Sequence, residues 1–187
     1  RVGGFTISDF HAKSRWLTVR EVFKFSSNIG TAKIALALGA ERQKAYLDAL
    51  GLLDRVNTEL PETARPLVAQ RWPESRVATV SYGHGIAVTP MHVAAAGAAV
   101  LNGGYYAPPT FYPRSEAETM NEARRVLSAP ASADMRELFL LNGLEGSGRN
   151  ARVPGFNVGG KTGTAEKAVA GGYDGDKRIN TFLAAFP

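Results

Sequence analysis

The spacing of apolar residues predicts several short helices in most of the chain. Thr18 followed three residues later by Glu21 is the pattern of a capping box, and Val22 and Phe23 give the next segment an apolar helical face. This helix is predicted to break at residues 26–28, where serine and asparagine side chains compete for backbone hydrogen bonds. Further helices are predicted over residues 31–38, 41–50, 89–102 and 132–142. Two segments are predicted to be irregular and exposed, residues 57–75 and 115–125.

The pattern changes towards the end of the chain, where two strands are predicted. Residues 156–165 alternate between apolar and polar side chains, and residues 179–186 are dense in apolar ones. The Gly-Gly pair at 171–172 lies in the link between them, and a link of this kind favours an antiparallel hairpin over a parallel crossover. The Asp-Gly-Asp at 174–176 is similar to part of a calcium loop, but the rest of that pattern is missing, so a hairpin turn is predicted there.

Composition and charge narrow the classes of function. The chain has 187 residues and a formal net charge of +5, but its basic residues are spread along the sequence without stacking aromatics, which argues against a nucleic-acid groove. The absence of cysteine excludes a disulfide scaffold, a thiolate nucleophile and thiolate metal sites. No apolar stretch is long enough to span a bilayer. Because the chain begins without an initiator methionine and stops inside a predicted strand, we expect it to be a fragment.

The most informative segment is the Gly-Gly-Lys-Thr-Gly-Thr-Ala stretch at residues 159–165. Its glycine spacing is wrong for a phosphate loop, and no helix is predicted after it. One alternative is a glycine-rich strand that carries a single solvated lysine. The other is a strand whose edge takes an extended peptide, since Gly163 has no bulky side chain there. In that case Lys161 and the hydroxyls of Thr162 and Thr164 would hold a carboxylate.

Ser26-Ser27-Asn28 form a second motif, which on its own is typical of a helix cap. Serine enzymes that handle penicillin carry Ser-x-x-Lys, Ser-x-Asn and Lys-Thr-Gly in that order, and the last two occur here in that order. The glycine-rich stretch at 78–90 and Gly-Ser-Gly at 146–148 accompany them. With these features the chain resembles the transpeptidase domain of class B penicillin-binding proteins, the membrane-anchored D,D-transpeptidases that cross-link bacterial peptidoglycan.

The resemblance covers essentially the whole chain and implies its fold and setting. The fold class is mixed α/β, similar to β-lactamases and transpeptidases, with a helical lobe and an antiparallel sheet. Residues 1–155 are expected to form mainly the helical lobe and residues 156–187 two sheet strands of one partial domain, without the nucleophile segment and the last strands. Gln-Arg-Trp at 70–72 most resembles the cell-division, or septal, branch. The family implies the periplasmic face of the inner membrane, partners in cell division or cell-wall synthesis, and no cofactor or metal.

The resemblance also implies roles for the residues of the two motifs. The family's reaction transfers an acyl group from a D-Ala-D-Ala stem peptide to an amine of a neighbouring one, and β-lactams mimic that terminus. Ser26 would relay protons, Asn28 would hold the substrate amide and steady the base lysine, and Lys161 would attract the terminal carboxylate. Thr162 and Thr164 would donate hydroxyls to that carboxylate, and the Thr164 N–H would supply half of an oxyanion hole. Since both motifs must touch one substrate, we expect Ser26 and Lys161 to face each other across one cleft.

One family motif is missing from the sequence. No lysine has a serine three residues before it, so the Ser-x-x-Lys nucleophile is absent. We expect it to precede Arg1 in a longer protein, and we expect this chain alone not to be acylated by penicillin. A degenerate homologue acting as a non-catalytic scaffold is the alternative. A serine β-lactamase is another, but the sequence offers no assignable base for hydrolysing an acyl-enzyme.

Overall fold

The computed structural model describes residues 1–169 and 172–186. The chain divides into two compact units, which we call the first unit and the second unit. The first unit comprises Arg1–Ile7 and Thr31–Arg136, and the second comprises Ser8–Gly30 and the residues from Glu137 onward.

Short helices dominate the chain, and the two long strands come at its end. The helices are α1 (Val19–Phe25), α2 (Asn28–Leu38), α3 (Ala40–Ala49), α4 (Glu74–Val80), α5 (Pro90–Leu101), α6 (Glu116–Glu122) and α7 (Ala129–Glu145), and a 3-10 turn covers Arg149–Ala151. The strands are β1 (Leu67–Val68), β2 (Ile86–Ala87), β3 (Tyr105–Tyr106), β4 (Arg124–Arg125), β5 (Gly159–Val169) and β6 (Gly172–Ala185). They pair as three antiparallel two-stranded sheets, β1 with β2, β3 with β4 and β5 with β6.

The first unit holds most of the buried apolar side chains of the described residues. They are Ala32, Ala35, Val56, Val77, Ala78, Val80, Ala96, Ala99 and Tyr106. Helix α5 begins as its sequence predicts, with Thr89 as N-cap and Pro90 at the first helical position. His92 closes this cap with its Nδ1 and is fully buried, and its Nε2 lies 2.8 Å from the carbonyl oxygen of Asp54. Since Nδ1 accepts from the Thr89 N–H, His92 is the neutral tautomer that donates through Nε2.

The second unit contains the antiparallel hairpin of β5 and β6, which confirms the predicted pairing. The register places Lys161 opposite Leu183. Among the described side chains of this unit, the buried apolar ones are Val22 and Phe139. Phe139 on α7 packs against Phe23 on α1, with ring centroids 5.4 Å apart. A small apolar contact therefore joins α1 and α7.

Glycine allows α7 and β5 to approach each other closely. A Cβ atom on Gly143 would lie 2.2 Å from the carbonyl oxygen of Val158, and one on Gly159 would lie 3.0 Å from the backbone carbonyl carbon of Phe139. An alanine at 143 would require the backbone to shift, and one at 159 would require its neighbours to give by a few tenths of an ångström. The helix and the strand therefore pack backbone against backbone, and this sets the distance between β5 and α7.

Several predicted elements differ in extent from the observed ones. Helix α2 begins at Asn28 rather than at residue 31, and α7 runs from Ala129 to Glu145 rather than over 132–142. The segment predicted to be irregular at 115–125 contains α6, which has its own capping box of Ser115 and Glu118. Helix α4 was not predicted.

The prediction of a hairpin turn at residues 174–176 is wrong. These residues lie inside β6, and the pairing steps from Arg178 opposite Glu166 to Asp174 opposite Lys167, so the extra residues form an irregularity in the ladder. Of the predicted Gly-Gly link, residue 171 lies outside the described residues and Gly172 begins β6. Within the described ranges, no helix has the length and apolar character needed to cross a membrane.

Candidate active site

Ser26 lies between α1 and α2 in a conformation that residues other than glycine rarely adopt. Its φ of 54° and ψ of 47° are left-handed, and its N–H closes the end of α1 by donating to the carbonyl of Phe23. This conformation costs a non-glycine residue about 1–2 kcal/mol, and such strain is concentrated at functional sites. The Ser26 hydroxyl reaches β5, where it accepts a hydrogen bond of 2.7 Å from Lys161 Nζ. The prediction that these two residues face each other is confirmed.

The Lys161 ammonium group is partly buried and has two oxygen acceptors. Besides the Ser26 hydroxyl, Nζ donates to the carbonyl of Thr162 at 2.9 Å. Burial lowers the pKa of Lys161 below that of an ordinary lysine. Because the unfolded chain keeps this proton to higher pH, the free energy of unfolding increases with pH between the folded and unfolded pKa values. The site therefore holds a cation that loses its proton more easily than a surface lysine does.

Asp9 anchors the Ser-Ser-Asn turn from an earlier segment of the second unit. Its carboxylate accepts hydrogen bonds from the Ser27 hydroxyl at 2.8 Å and from the Ile29 N–H at 2.9 Å. The Ser27 side chain is buried, and its oxygen accepts from the Gly30 N–H at 2.9 Å. Helix α2 has no acidic residue in its own first turn, so Asp9 supplies the negative charge and the acceptor there. This contact explains why α2 begins earlier than predicted.

Asn28 is close in sequence to Ser26 but does not join its pair with Lys161. The Asn28 Nδ2 donates instead to the carbonyl of Ser8 at 3.2 Å. In the part of the chain that is described, no hydrogen bond joins Asn28 to Lys161. Ser8 and Asp9 thus hold the turn together, and the backbone carbonyl of Ser8, rather than Lys161, orients the Asn28 side chain.

A second group of polar side chains supports β5 from α7 and the loop that follows it. Thr162 Oγ1 donates to Ser147 Oγ at 2.7 Å. The Ser147 N–H donates to Asn142 Oδ1 at 3.1 Å, and Asn142 Nδ2 donates to the carbonyl of Gly160 at 2.6 Å. Asn142 is fully buried. A Cβ atom on Gly146 would lie 2.1 Å from Asn142 Oδ1, so the loop can close over this amide only with glycine at 146.

The edge of β5 that faces away from β6 has no strand partner among the described residues. Alternate residues of an antiparallel strand turn their backbone groups to the same edge, so those of Gly160, Thr162 and Thr164 share one. The Gly160 carbonyl accepts from Asn142 Nδ2 on α7, and the Thr162 carbonyl accepts from Lys161 Nζ. The Gly163 carbonyl is on the other edge, since it accepts from the Thr181 hydroxyl on β6. The exposed Thr164 therefore has its N–H on the open edge.

Three residues that shape the site were not predicted as site residues. Ser147 belongs to the Gly-Ser-Gly that accompanied the resemblance, and this was a usable signal. Asn142 was visible as an amide within a helix that has an apolar face, where a buried polar group needs partners. Asp9 gave no local signal, because its partner lies 18 residues away. Over residues 1–169 and 172–186, no cluster of acidic, histidine or cysteine side chains could hold a metal ion.

Comparison with known proteins settles the family. Residues 1–187 match the protein family described as the penicillin binding protein transpeptidase domain. The chain belongs to this family. The resemblance to the class B transpeptidase domains that was stated from its motifs is confirmed.

The similar proteins also confirm the mixed α/β transpeptidase fold. The probable peptidoglycan D,D-transpeptidase FtsI of Caulobacter vibrioides is 42% identical over 192 residues, covering 100% of this chain and 32% of the relative. The apo TP domain of Burkholderia pseudomallei penicillin-binding protein 3 matches with a TM-score of 0.82 at 32% identity, over 90% of this chain and 51% of that one. Penicillin-binding protein 3 of Mycobacterium tuberculosis, complexed with aztreonam, gives a TM-score of 0.77 at 28% identity, over 89% of this chain and 41% of that one. This chain spans about a third of the curated relative it matches.

Proposed function

We propose that this chain is part of a peptidoglycan D,D-transpeptidase that cross-links stem peptides by acyl transfer. The observation that carries the proposal is the 2.7 Å hydrogen bond from Lys161 Nζ to Ser26 Oγ, made beside the open edge of a strand. A hydroxyl held next to a cation can pass a proton, and an open strand edge can align an extended peptide. The Caulobacter relative, named a D,D-transpeptidase, supports the same reaction.

The nucleophile in this proposal comes from a Ser-x-x-Lys segment that this sequence does not contain. The matched relative is much longer than this chain, so there is room for such a segment. Its serine, deprotonated by its lysine, attacks the carbonyl carbon of the penultimate D-Ala; the C–N bond breaks and the terminal D-Ala leaves with the proton. An amine of a second stem peptide then attacks the acyl ester, gives up a proton and releases the serine.

Ser26 and Lys161 serve the two proton transfers and the binding of substrate. Ser26 stands between the base lysine of the missing motif and the leaving nitrogen, and its hydroxyl passes the proton. Lys161 orients that hydroxyl and attracts the terminal carboxylate. Two unit charges about 4 Å apart attract each other by about 4 kcal/mol at an effective dielectric near 20, which is enough to orient a peptide. Asn28 accepts the substrate amide N–H through Oδ1, since its Nδ2 is bound to Ser8.

The open edge of β5 completes the proposed substrate site. The N–H of Thr164 supplies one donor of an oxyanion hole, and the N–H of the missing serine supplies the other. The hydroxyls of Thr162 and Thr164 bind the substrate carboxylate together with Lys161. Gly163 leaves room beside the strand, since a Cβ atom there would meet Thr181 Oγ1 at 2.5 Å.

The setting we propose is the septal cell wall, at the periplasmic face of the inner membrane. The Gln-Arg-Trp at 70–72 supports the septal branch. The partners are then stem peptides ending in D-Ala-D-Ala, proteins of cell division and β-lactams. Structures of the M. tuberculosis relative complexed with aztreonam and with ampicillin support β-lactams as ligands.

Mass spectrometry after incubation with benzylpenicillin tests the proposal. The intact protein that carries this chain is expected to gain one penicilloyl group on the serine of its Ser-x-x-Lys, and this chain alone is expected to gain none. The adduct should deacylate slowly, whereas rapid turnover would indicate a β-lactamase. An intact protein that gains no adduct would instead be a non-catalytic domain of the same fold.

A further inference from the structure

We infer that Asn142 and Ser147 are positioning residues for the substrate carboxylate, and that they act through the hydroxyl of Thr162. The inference rests on the proposed function, because it concerns how the carboxylate is bound in that reaction. It assigns a role to a loop and a buried amide that lie outside the Ser-x-Asn and Lys-Thr-Gly motifs.

The orientation of the Asn142 side chain is fixed by two backbone partners. Its Oδ1 must accept, because the Ser147 N–H at 3.1 Å can only donate, and its Nδ2 must donate, because the Gly160 carbonyl at 2.6 Å can only accept. The backbone carbonyl of Asn142 also accepts from the N–H groups of Gly146 and Gly148, at 3.0 and 3.2 Å. One fully buried residue therefore holds the loop from 146 to 148 and a carbonyl of β5 in a single arrangement.

The Ser147 hydroxyl connects this buried amide to the proposed substrate site. Ser147 Oγ accepts from Thr162 Oγ1 at 2.7 Å and from Asn142 Nδ2 at 3.4 Å, and it donates to Asn142 Oδ1 at 3.4 Å. Thr162 cannot give its proton to Ser147 and to a carboxylate at the same time. Rotation of two hydroxyls resolves this. Ser147 turns its proton from Asn142 Oδ1, which keeps the Ser147 N–H, to Thr162, while Thr162 donates to the carboxylate.

Three donors would then point in one direction, from Asn142 to Ser147, from Ser147 to Thr162 and from Thr162 to the carboxylate. Such chains polarise one another, so the last bond, to the anion, is strengthened by the ones behind it. Within the protein only protons move in this change, because the side-chain heavy atoms of Asn142, Ser147 and Thr162 are already within reach of one another. The arrangement is thus prepared for an anion at Thr162, and its contribution should appear only with ligands that carry one.

The experiment compares benzylpenicillin with its methyl ester, which lacks the anionic carboxylate, as acylating agents of the intact protein. The ratio of the two second-order acylation rates measures recognition of the carboxylate. Ser147→Ala is expected to lower this ratio about tenfold, the size of one hydrogen bond to a charged group. Ser147→Thr keeps the hydroxyl and should retain the ratio. Asn142→Ala should lower the ratio in the same direction.

The controls separate this inference from the proposed function and from a loss of stability. Ser132→Ala removes another fully buried hydroxyl, which accepts a hydrogen bond from the Gly103 N–H in the first unit, and it should leave the ratio unchanged. If Thr162→Val leaves the ratio unchanged, the proposed carboxylate site is wrong. If Thr162→Val lowers it and Ser147→Ala does not, the inference is overturned. Adding Ser147→Ala to Thr162→Val should not lower the ratio further, because both changes act through the same hydroxyl. If Asn142→Ala does not fold, Ser147→Ala alone tests the inference.

Discussion

The two units of this chain are stabilised in different ways. In the first unit, most of the buried apolar side chains of the described residues pack around helices such as α5. In the second unit, few of the described apolar side chains are buried, and the loops and strands are fixed by hydrogen bonds that Asp9 accepts and that Asn142 and Lys161 donate. Apolar packing tolerates exchange of similar residues, whereas hydrogen bonds depend on distance and angle. The residues of the Ser-x-Asn and Lys-Thr-Gly motifs lie in the unit that directional contacts hold.

The directional contacts of the second unit have a cost in folding free energy. Ser26 occupies a left-handed conformation, and Gly143 brings two backbones within a distance that no side chain tolerates. Asn142 is a buried amide, and a buried polar group left without its partner costs about 1–3 kcal/mol. We therefore expect changes in the second unit to alter reaction rate and stability separately, and changes in the first unit to alter stability alone.

The largest expected effect comes from Lys161→Ala. Removal of the cation that binds the Ser26 hydroxyl is expected to slow acylation of the intact protein by penicillin about 100-fold, by analogy with loss of one electrostatic contact in an active site. Its effect on thermal stability should be small, because the ammonium is partly desolvated in the fold. Stopped-flow acylation and thermal unfolding measure the two effects.

Lys44→Ala in the first unit is the matched control, and it should leave acylation unchanged. Lys161→Arg tests the charge separately, because an arginine keeps its proton at any pH used. If the arginine variant is active, its rate should persist to higher pH than that of the parent. A fall of several degrees in melting temperature with an unchanged acylation rate would make Lys161 a structural residue.

The next largest effect concerns the glycines that allow β5 to pack closely against α7. Gly143→Ala should destabilise the protein by about 1–3 kcal/mol, because its Cβ would strike the backbone oxygen of Val158, and this outweighs the gain of about 1 kcal/mol in helix propensity. Gly160→Ala is the control and should cost less, since its Cβ would meet chiefly the far edge of the exposed Phe182 ring, which can turn away, and its nearest backbone contact, the Leu183 carbonyl oxygen, is at 3.1 Å rather than 2.2 Å. Urea unfolding of both variants measures this. Equal costs would show that the close approach of α7 and β5 is not rigid.

The sequence predicted the elements whose signals are local. Thr18 with Glu21 and Thr89 with Pro90 marked two helix starts, and both are confirmed because each cap is made within one turn. The pairing of Ser26 with Lys161 was expected from the motifs alone. The early start of α2 was not, since it depends on Asp9, which contacts the turn only after the chain has folded back.

A third prediction uses the strain at Ser26. Ser26→Gly should raise the free energy of unfolding by up to about 1 kcal/mol, because glycine adopts the left-handed conformation without the Cβ penalty. The same variant should slow acylation, because Lys161 loses its hydroxyl partner. Urea unfolding and penicillin acylation should thus change in opposite directions. Ser14→Gly, at the other non-glycine residue with positive φ in the described chain, should stabilise without slowing acylation. A slowed Ser14→Gly, or a Ser26→Gly of lower stability, would contradict the link between strain and chemistry.

The smallest effect distinguishes two capping boxes of the same design, one in each unit. Glu21 caps α1, which ends at Ser26, and Glu118 caps α6 in the first unit. The Arg15 side chain and then the Thr18 N–H lower the pKa of Glu21 to about 2, and the Ser115 N–H lowers the pKa of Glu118. Because these pKa values are lower in the folded state, each carboxylate stabilises the fold above the ordinary carboxyl pKa, and this stabilisation is lost as pH falls towards the folded value.

Glu21→Gln and Glu118→Gln should therefore both lower stability at neutral pH, and the deficit of each should narrow towards about pH 3 as the parent carboxylates begin to lose their advantage. The two variants should differ in acylation. Glu21→Gln loosens the helix whose end positions the Ser26 hydroxyl, so it should slow acylation slightly at neutral pH, whereas Glu118→Gln should not. Urea midpoints at the two pH values and acylation rates measure this. If Glu118→Gln slows acylation as much as Glu21→Gln does, the division of labour between the two units does not hold.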